Sequence, residues 1–117
     1  MNQEFTDKLI KTYPLLYNNF YYFETEDGWN NLIELASSLI ETELKKLSEE
    51  ERENIHALQI KEKFGGLRMY LGNDTPFIRG VISMTELTSM STCEYCGNKG
   101  KRSGKGWIKT LCDSCSI

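Results

Sequence analysis

Cys93, Cys96, Cys112 and Cys115 form two C-x2-C pairs separated by fifteen residues. Each pair can turn back on itself, and four thiolates at about 2.3 Å complete a tetrahedral zinc shell with no position left for substrate or water. The spacing therefore predicts one structural Zn2+ held by these four ligands. Disulfides would need an oxidising compartment, yet residues 1–13 (MNQEFTDKLIKTY) carry Glu4 and Asp7 and lack the apolar run of a secretory leader. Rubredoxin-like iron would use the same thiolates, but the second knuckle, Cys112-Asp-Ser-Cys115, has no glycine. Redox C-x-x-C pairs sit at a helix start in a βαβ unit, whereas these flank a glycine-rich loop. Zinc is the preferred reading.

Catalytic candidates are less specific. Glu24, Glu26 and Asp27 have the composition of a divalent-metal or paired-carboxylate site, but Asp27 stands where a helix N-cap is expected. Glu62 falls among apolar residues, and a buried carboxylate must find a donor or protonate. Arg79, a tyrosine or a backbone end would serve it; a catalytic acid is the alternative. His56 has no second histidine to work with, and Phe64-Gly65-Gly66-Leu67 lacks the lysine and helix start of a phosphate loop. No nucleophile–base pair is visible.

Charge is uneven along the 117 residues. Residues 1–55 carry −7 and residues 56–117 carry +4, within a net charge of −3. Between the knuckles, Lys99, Lys101, Arg102, Lys105 and Lys109 occur with no acid among them. Trp107 could stack on a base or anchor a protein while these cations hold phosphates or acidic groups. The alternative packs Trp107 on the knuckles as the module's one large core residue, and that placement is preferred. An acidic whole argues against a dedicated non-specific DNA binder. No run is long enough to span a membrane, so cytosolic residence is expected.

These groups need elements to position them. Residues 3–12 suit a short helix ending before Pro14, and Tyr13 to Phe23 a helical turn leading into a strand at Phe20 to Glu24. From Trp29 to Leu47, apolar residues recur at spacings of three and four, the mark of an amphipathic helix capped by Asp27. Ser48-Glu49-Glu50-Glu51 fits a capping box. The period then becomes two, which predicts a hairpin of residues 56–63 with 67–72 turning at Gly65-Gly66. In that register Phe64 faces Leu67, Glu62 faces Met69 and Ile60 faces Leu71. Lys63 then faces Arg68 and Lys61 faces Tyr70 on a basic surface, read chiefly as a solvated face and otherwise as a patch for phosphate or an acidic partner. A helix over Pro76 to Met90 follows, offering Phe77, Ile78, Val81, Ile82, Thr85 and Leu87 to the sheet. From Thr92 onward the large apolar residues are Tyr95, Trp107, Ile108, Leu111 and Ile117, too few for a core, so this segment should unravel without metal.

Asp27-Gly28-Trp29 at a helix start, Lys-Glu-Lys-Phe-Gly-Gly-Leu-Arg at residues 61–68, and Thr92-Cys-Glu-Tyr-Cys-Gly97 with Gly106-Trp107 and Thr110-Leu111-Cys112 go together. Over about residues 27 to 115 the chain resembles a family of small uncharacterised bacteriophage and prophage proteins. The resemblance implies a phage or bacterial setting and supplies no catalytic residue. In similar proteins the last ligand is often histidine, where this chain has Cys115.

The residues and the resemblance together imply an α+β domain at 1–91, a hairpin-containing small sheet packed on helices, with a zinc-ribbon-like module at 92–117 packed on it. The expected role is non-enzymatic binding of a host protein or nucleoprotein, as an inhibitor or modulator of defence or transcription machinery in the bacterial cytoplasm. Contacts are expected at Lys99, Lys101, Arg102, Lys105, Trp107 and Lys109, and at Lys61, Lys63, Arg68 and Tyr70. A nucleic-acid-binding zinc ribbon is one alternative; a small hydrolase using Glu62 or Glu24, Glu26 and Asp27 is another.

Overall fold

The computed structural model describes residues 1–116; Ile117, the last apolar residue assigned to the module, lies outside them. Helix α1 spans Gln3–Thr12, and the Asn2 side chain caps it by accepting from the Phe5 N–H. A 3-10 turn, Asp27–Trp29, leads into α2, Asn30–Lys46. Strands β1, Ala57–Lys63, and β2, Gly66–Leu71, form an antiparallel hairpin. Helix α3, Pro76–Ser89, has Pro76 in its first turn behind the Thr75 cap. Strands β3, Lys101–Ser103, and β4, Lys109–Leu111, make a second hairpin between the cysteine pairs. This is an α+β fold with two small sheets.

The apolar spacing of α2 buries Ile33, Ala36, Ile40 and Leu44 in the core, where α2 packs chiefly on α3, with Trp29 fully enclosed at the helix entrance. No strand forms over residues 20–24. Tyr17, Phe20 and Phe23 recur every third residue and all turn into one cluster, with ring centroids 4.8 to 5.3 Å apart. Such spacing cannot obey the alternation of a strand. Only Glu24 bridges to β1: its N–H donates to the Ile60 carbonyl at 2.9 Å, and its carbonyl accepts from the Glu62 N–H at 3.1 Å.

The hairpin turns one residue earlier than the glycine pair suggests. Ile60 faces Met69, Lys61 faces Arg68, Glu62 faces Leu67 and Lys63 faces Gly66, leaving Phe64 and Gly65 at the turn, both at positive φ. Gly66 is instead a packing position, where a β-carbon would crowd Met90 and Arg68. Moving the turn by one residue shifts each partner by two, so side chains keep their faces. Lys61, Lys63, Arg68 and Tyr70 thus still share one side. A bulge at Ala57/Gln59 breaks the alternation at the start of β1 and leaves Leu58 exposed.

Helix α3 also differs from expectation on one side. Ile78 and Thr85 are buried and Val81 and Ile82 pack on the core, but Phe77 and Leu87 are exposed; where α3 meets the edge of β2 it also carries polar groups. Ser89 Oγ accepts from the Leu67 N–H at 2.9 Å and Glu86 Oε2 from the Met69 N–H at 3.0 Å. Two helical side chains three residues apart thereby close the open edge of β2, which would otherwise present unpaired donors.

Candidate metal centre and basic surface

The sulfurs of Cys93, Cys96, Cys112 and Cys115 all lie within 4.8 Å of one another, and Cys96 Sγ is 3.5 Å from Cys112 Sγ. Sulfurs at the corners of a tetrahedron with 2.3 Å metal–sulfur bonds stand about 3.8 Å apart, so the four fit a single ion. Among the described residues no other group of potential ligands is as close.

The knuckles are built locally. Gly97, at φ 84°, lets the chain reverse so that its N–H donates to the Cys93 carbonyl at 2.9 Å, and Cys115 N–H reaches the Cys112 carbonyl at 3.2 Å. Burial works against a charged Cys93, but N–H groups of Cys112, Cys96 and Tyr95 outweigh it and bring its pKa down to about 6. Hydrogen bonding to the Cys112 and Cys93 sulfurs pushes Cys115 up to about 12. A cluster that favours one thiolate and resists a second becomes a full ligand set only when a cation neutralises it. These residues would hold Zn2+, which would supply cross-linking and no open coordination position.

Glu94, inside the first knuckle, fastens the module to the rest. Its N–H donates to the Thr110 carbonyl, its carbonyl accepts from the Gly28 N–H at 2.6 Å, and its Oε2 accepts from the Glu26 N–H at 3.2 Å. Burial holds its carboxyl above the usual carboxylate value, against the pull of Lys109. Thr110, also buried, donates from Oγ1 to the Gly65 carbonyl at 2.6 Å, and Trp29 Nε1 donates to the Thr92 carbonyl at 2.8 Å.

Lys99, Lys101, Arg102 and Lys105 are exposed. Trp107 is 78% exposed, contrary to the expected packing, because Glu94 and Thr110 fill the buried side of the module; its ring lies 5.9 Å from Lys109 Nζ. Lys109 differs from the other cations: its Nζ lies 3.4 Å from Glu94 Oε1 and 3.6 Å from Glu62 Oε1, turned inward. Burial opposes its charge, yet Glu94 and Glu62 carry its pKa upward. Glu62 therefore finds a lysine rather than Arg79, and its Oε2 accepts from the Gly65 N–H at 2.8 Å, a backbone-capping role. Arg79 pairs with Asp74 instead.

Glu24, Glu26, Glu62, Glu94 and Lys109 border a cleft of about 280 Å³. Asp27 is outside it. Its Oδ1 accepts from the Asn2 N–H at 2.9 Å and from Asn30 Nδ2 at 3.3 Å, so it tethers the N-terminus instead of capping α2 through a backbone bond.

The two basic groups meet at the hairpin tip. A β-carbon on Gly65 would lie 3.0 Å from Arg102 Cγ, and Arg102 Nη1 donates to Met90 Sδ at 3.6 Å. The Met90 methyl and Arg68 Nη1 both border Gly66, so the two guanidinium groups flank one methionine. Lys63 lies over the exposed Phe64 ring at 5.8 Å. Lys61 and Arg68 are half-buried, while Lys63 and Tyr70 are exposed. No family model matches the chain, and neither a curated protein nor a solved structure matches it.

Proposed function

We propose that this protein is a non-catalytic, zinc-stabilised binding protein of phage type. Its partner is a host nucleoprotein, engaged through nucleic-acid phosphates. The observation that carries the reading is the junction of Arg68 and Arg102 at Met90, which joins Lys61 and Lys63 on the hairpin to Lys99, Lys101 and Lys105 on the module. Clustered cations supply sequence-independent attraction to phosphate, and exposed Trp107 and Phe64 beside them offer rings on which unpaired bases stack. The inward pairing of Lys109 with Glu62 and Glu94 subtracts that lysine from the contact set. The phage setting, the bacterial cytoplasm and a role in modulating defence or transcription machinery rest on the resemblance of the 61–68 segment and the knuckles.

Capture from host lysate with and without nuclease tests the partner class, and binding to single-stranded and duplex nucleic acid across a salt series tests the surface. Reversing Lys101, Arg102 and Lys105 to glutamate should weaken binding at least about tenfold and lower the salt slope by two to three, close to one unit per lost phosphate contact. Undiminished affinity would exclude the surface. Capture that survives nuclease treatment and the charge reversal would move the reading to a protein partner.

A further inference from the structure

The outer face of the α2/α3 pair is apolar and has no cover among the described residues. Leu35, Leu39, Phe77 and Met84 are half to seven-tenths exposed there, lining a groove of about 690 Å³. The two helices run antiparallel, since Trp29 at the entrance of α2 bonds to Thr92 just beyond α3. We propose that a second copy of this chain covers this face, the helix pairs packing about a two-fold axis as a four-helix arrangement.

Area, charge and shape all point to a like partner. The four side chains expose on the order of 400 Å² of apolar surface, within the range of the largest patch on a monomer. Two copies would bury roughly 800 Å² from these residues, and Leu32, Pro76, Val81 and Thr88 in the same lining carry the contact to the roughly 1,000 Å² of a specific interface. No charged residue lines the groove, so a two-fold pairing brings no like charges together. One turn beyond Leu39, the same stripe of α2 continues with Glu43 and Lys46, one charge of each sign. A two-fold axis can offer each copy's Glu43 the other's Lys46, the self-complementarity that an isologous interface requires. A foreign acidic or basic helix would find no rim of a single opposite sign.

Gly80 adds a shape argument. A glycine inside a helix costs about 1 kcal/mol relative to alanine. A β-carbon there would meet nothing within 4 Å, so no contact inside the chain calls for glycine. Its absence of a side chain lets a facing helix approach closely.

Sedimentation equilibrium of the zinc-loaded protein from about 1 to about 100 µM, a range in which interfaces of this size associate, tests the proposal. A monomer–dimer equilibrium is expected. Leu35→Glu with Met84→Glu should weaken it about 100-fold or more by placing like charges across the axis. Both sites are exposed, so far-ultraviolet circular dichroism and zinc content should not change. Gly80→Leu, which favours helix, should keep the monomer folded and also weaken the dimer. A wild-type protein that stays monomeric at 100 µM overturns the proposal. So does a dimer whose affinity is unchanged in both variants, or groove protection from hydrogen exchange that arises only when a different protein is added.

Discussion

Phe64 occupies the left-handed region at φ 52°, where a β-carbon is disfavoured, and its ring is largely exposed. Phe64→Asn should therefore stabilise the hairpin by about 0.5–1 kcal/mol in urea unfolding, since Asn-Gly is the favoured pair for a turn with two positive φ values. Gly28 carries the opposite lesson. Its φ is ordinary, but a β-carbon would collide with the carbonyl oxygens of Cys93 and Glu94. Gly28→Ala should cost more than about 2 kcal/mol and weaken zinc retention against a chelator, because backbone at the knuckle would have to move. Asp27 gives a pH signature. The Asn2 N–H, with help from Asn30, holds its carboxyl below the ordinary value of 3.8. A depressed folded pKa contributes stability that is full above the unfolded value and is lost as pH falls through the folded one. Protection of the Asn2 amide should therefore fade below about pH 4, and Asp27→Asn should remove that dependence.

Among the elements, α2 owes its position to a residue its pattern hides. Glu41 is buried, and its carboxylate accepts from the Leu15 and Leu16 N–H groups at 3.1 and 2.8 Å, tying the turn after α1 to the helix. Glu41→Ala should destabilise by about 1–3 kcal/mol in urea unfolding, and Glu41→Gln by less because one acceptor survives. Nothing in a single sequence separates this glutamate from the exposed acids around it. Glu86 and Ser89, which close the edge of β2, are equally silent, since each bonds a backbone group that composition cannot locate. What could be read was periodic or stoichiometric: α1, α2, the hairpin and α3 by their apolar spacing, and the four sulfurs by their count and separation. A glycine pair fits a turn equally well at two registers, and the close approach of Arg68 and Met90 to Gly66, which no local pattern shows, accompanies the one adopted. Ser48 and Glu51 exchange both capping bonds, at 3.0 and 3.1 Å, as their spacing of three requires.

At the scale of the molecule, the main apolar cluster among the described residues draws its buried members from residues 9 to 78, and the segment beyond Thr92 is held by Glu94, Thr110 and the cysteines. Zinc binding can contribute on the order of 10 kcal/mol to a module with no core of its own. Chelation should therefore melt residues 92–116 while the helices persist. Hydrogen exchange should show protection lost at Cys93, Glu94 and Gly97 and kept in the middle of α2, and added zinc should restore it. Loss of protection throughout the chain would mean that the metal supports the whole fold. The two tryptophans give this architecture a practical consequence. Trp29 is sealed in the core with its indole N–H on the backbone just before the first cysteine, whereas Trp107 is largely in solvent, with the Lys109 ammonium 5.9 Å from its ring centre. One emission spectrum therefore contains two separable signals: the blue-shifted indole reports whether the joint is intact, and the red-shifted one reports whether anything has landed on the tip.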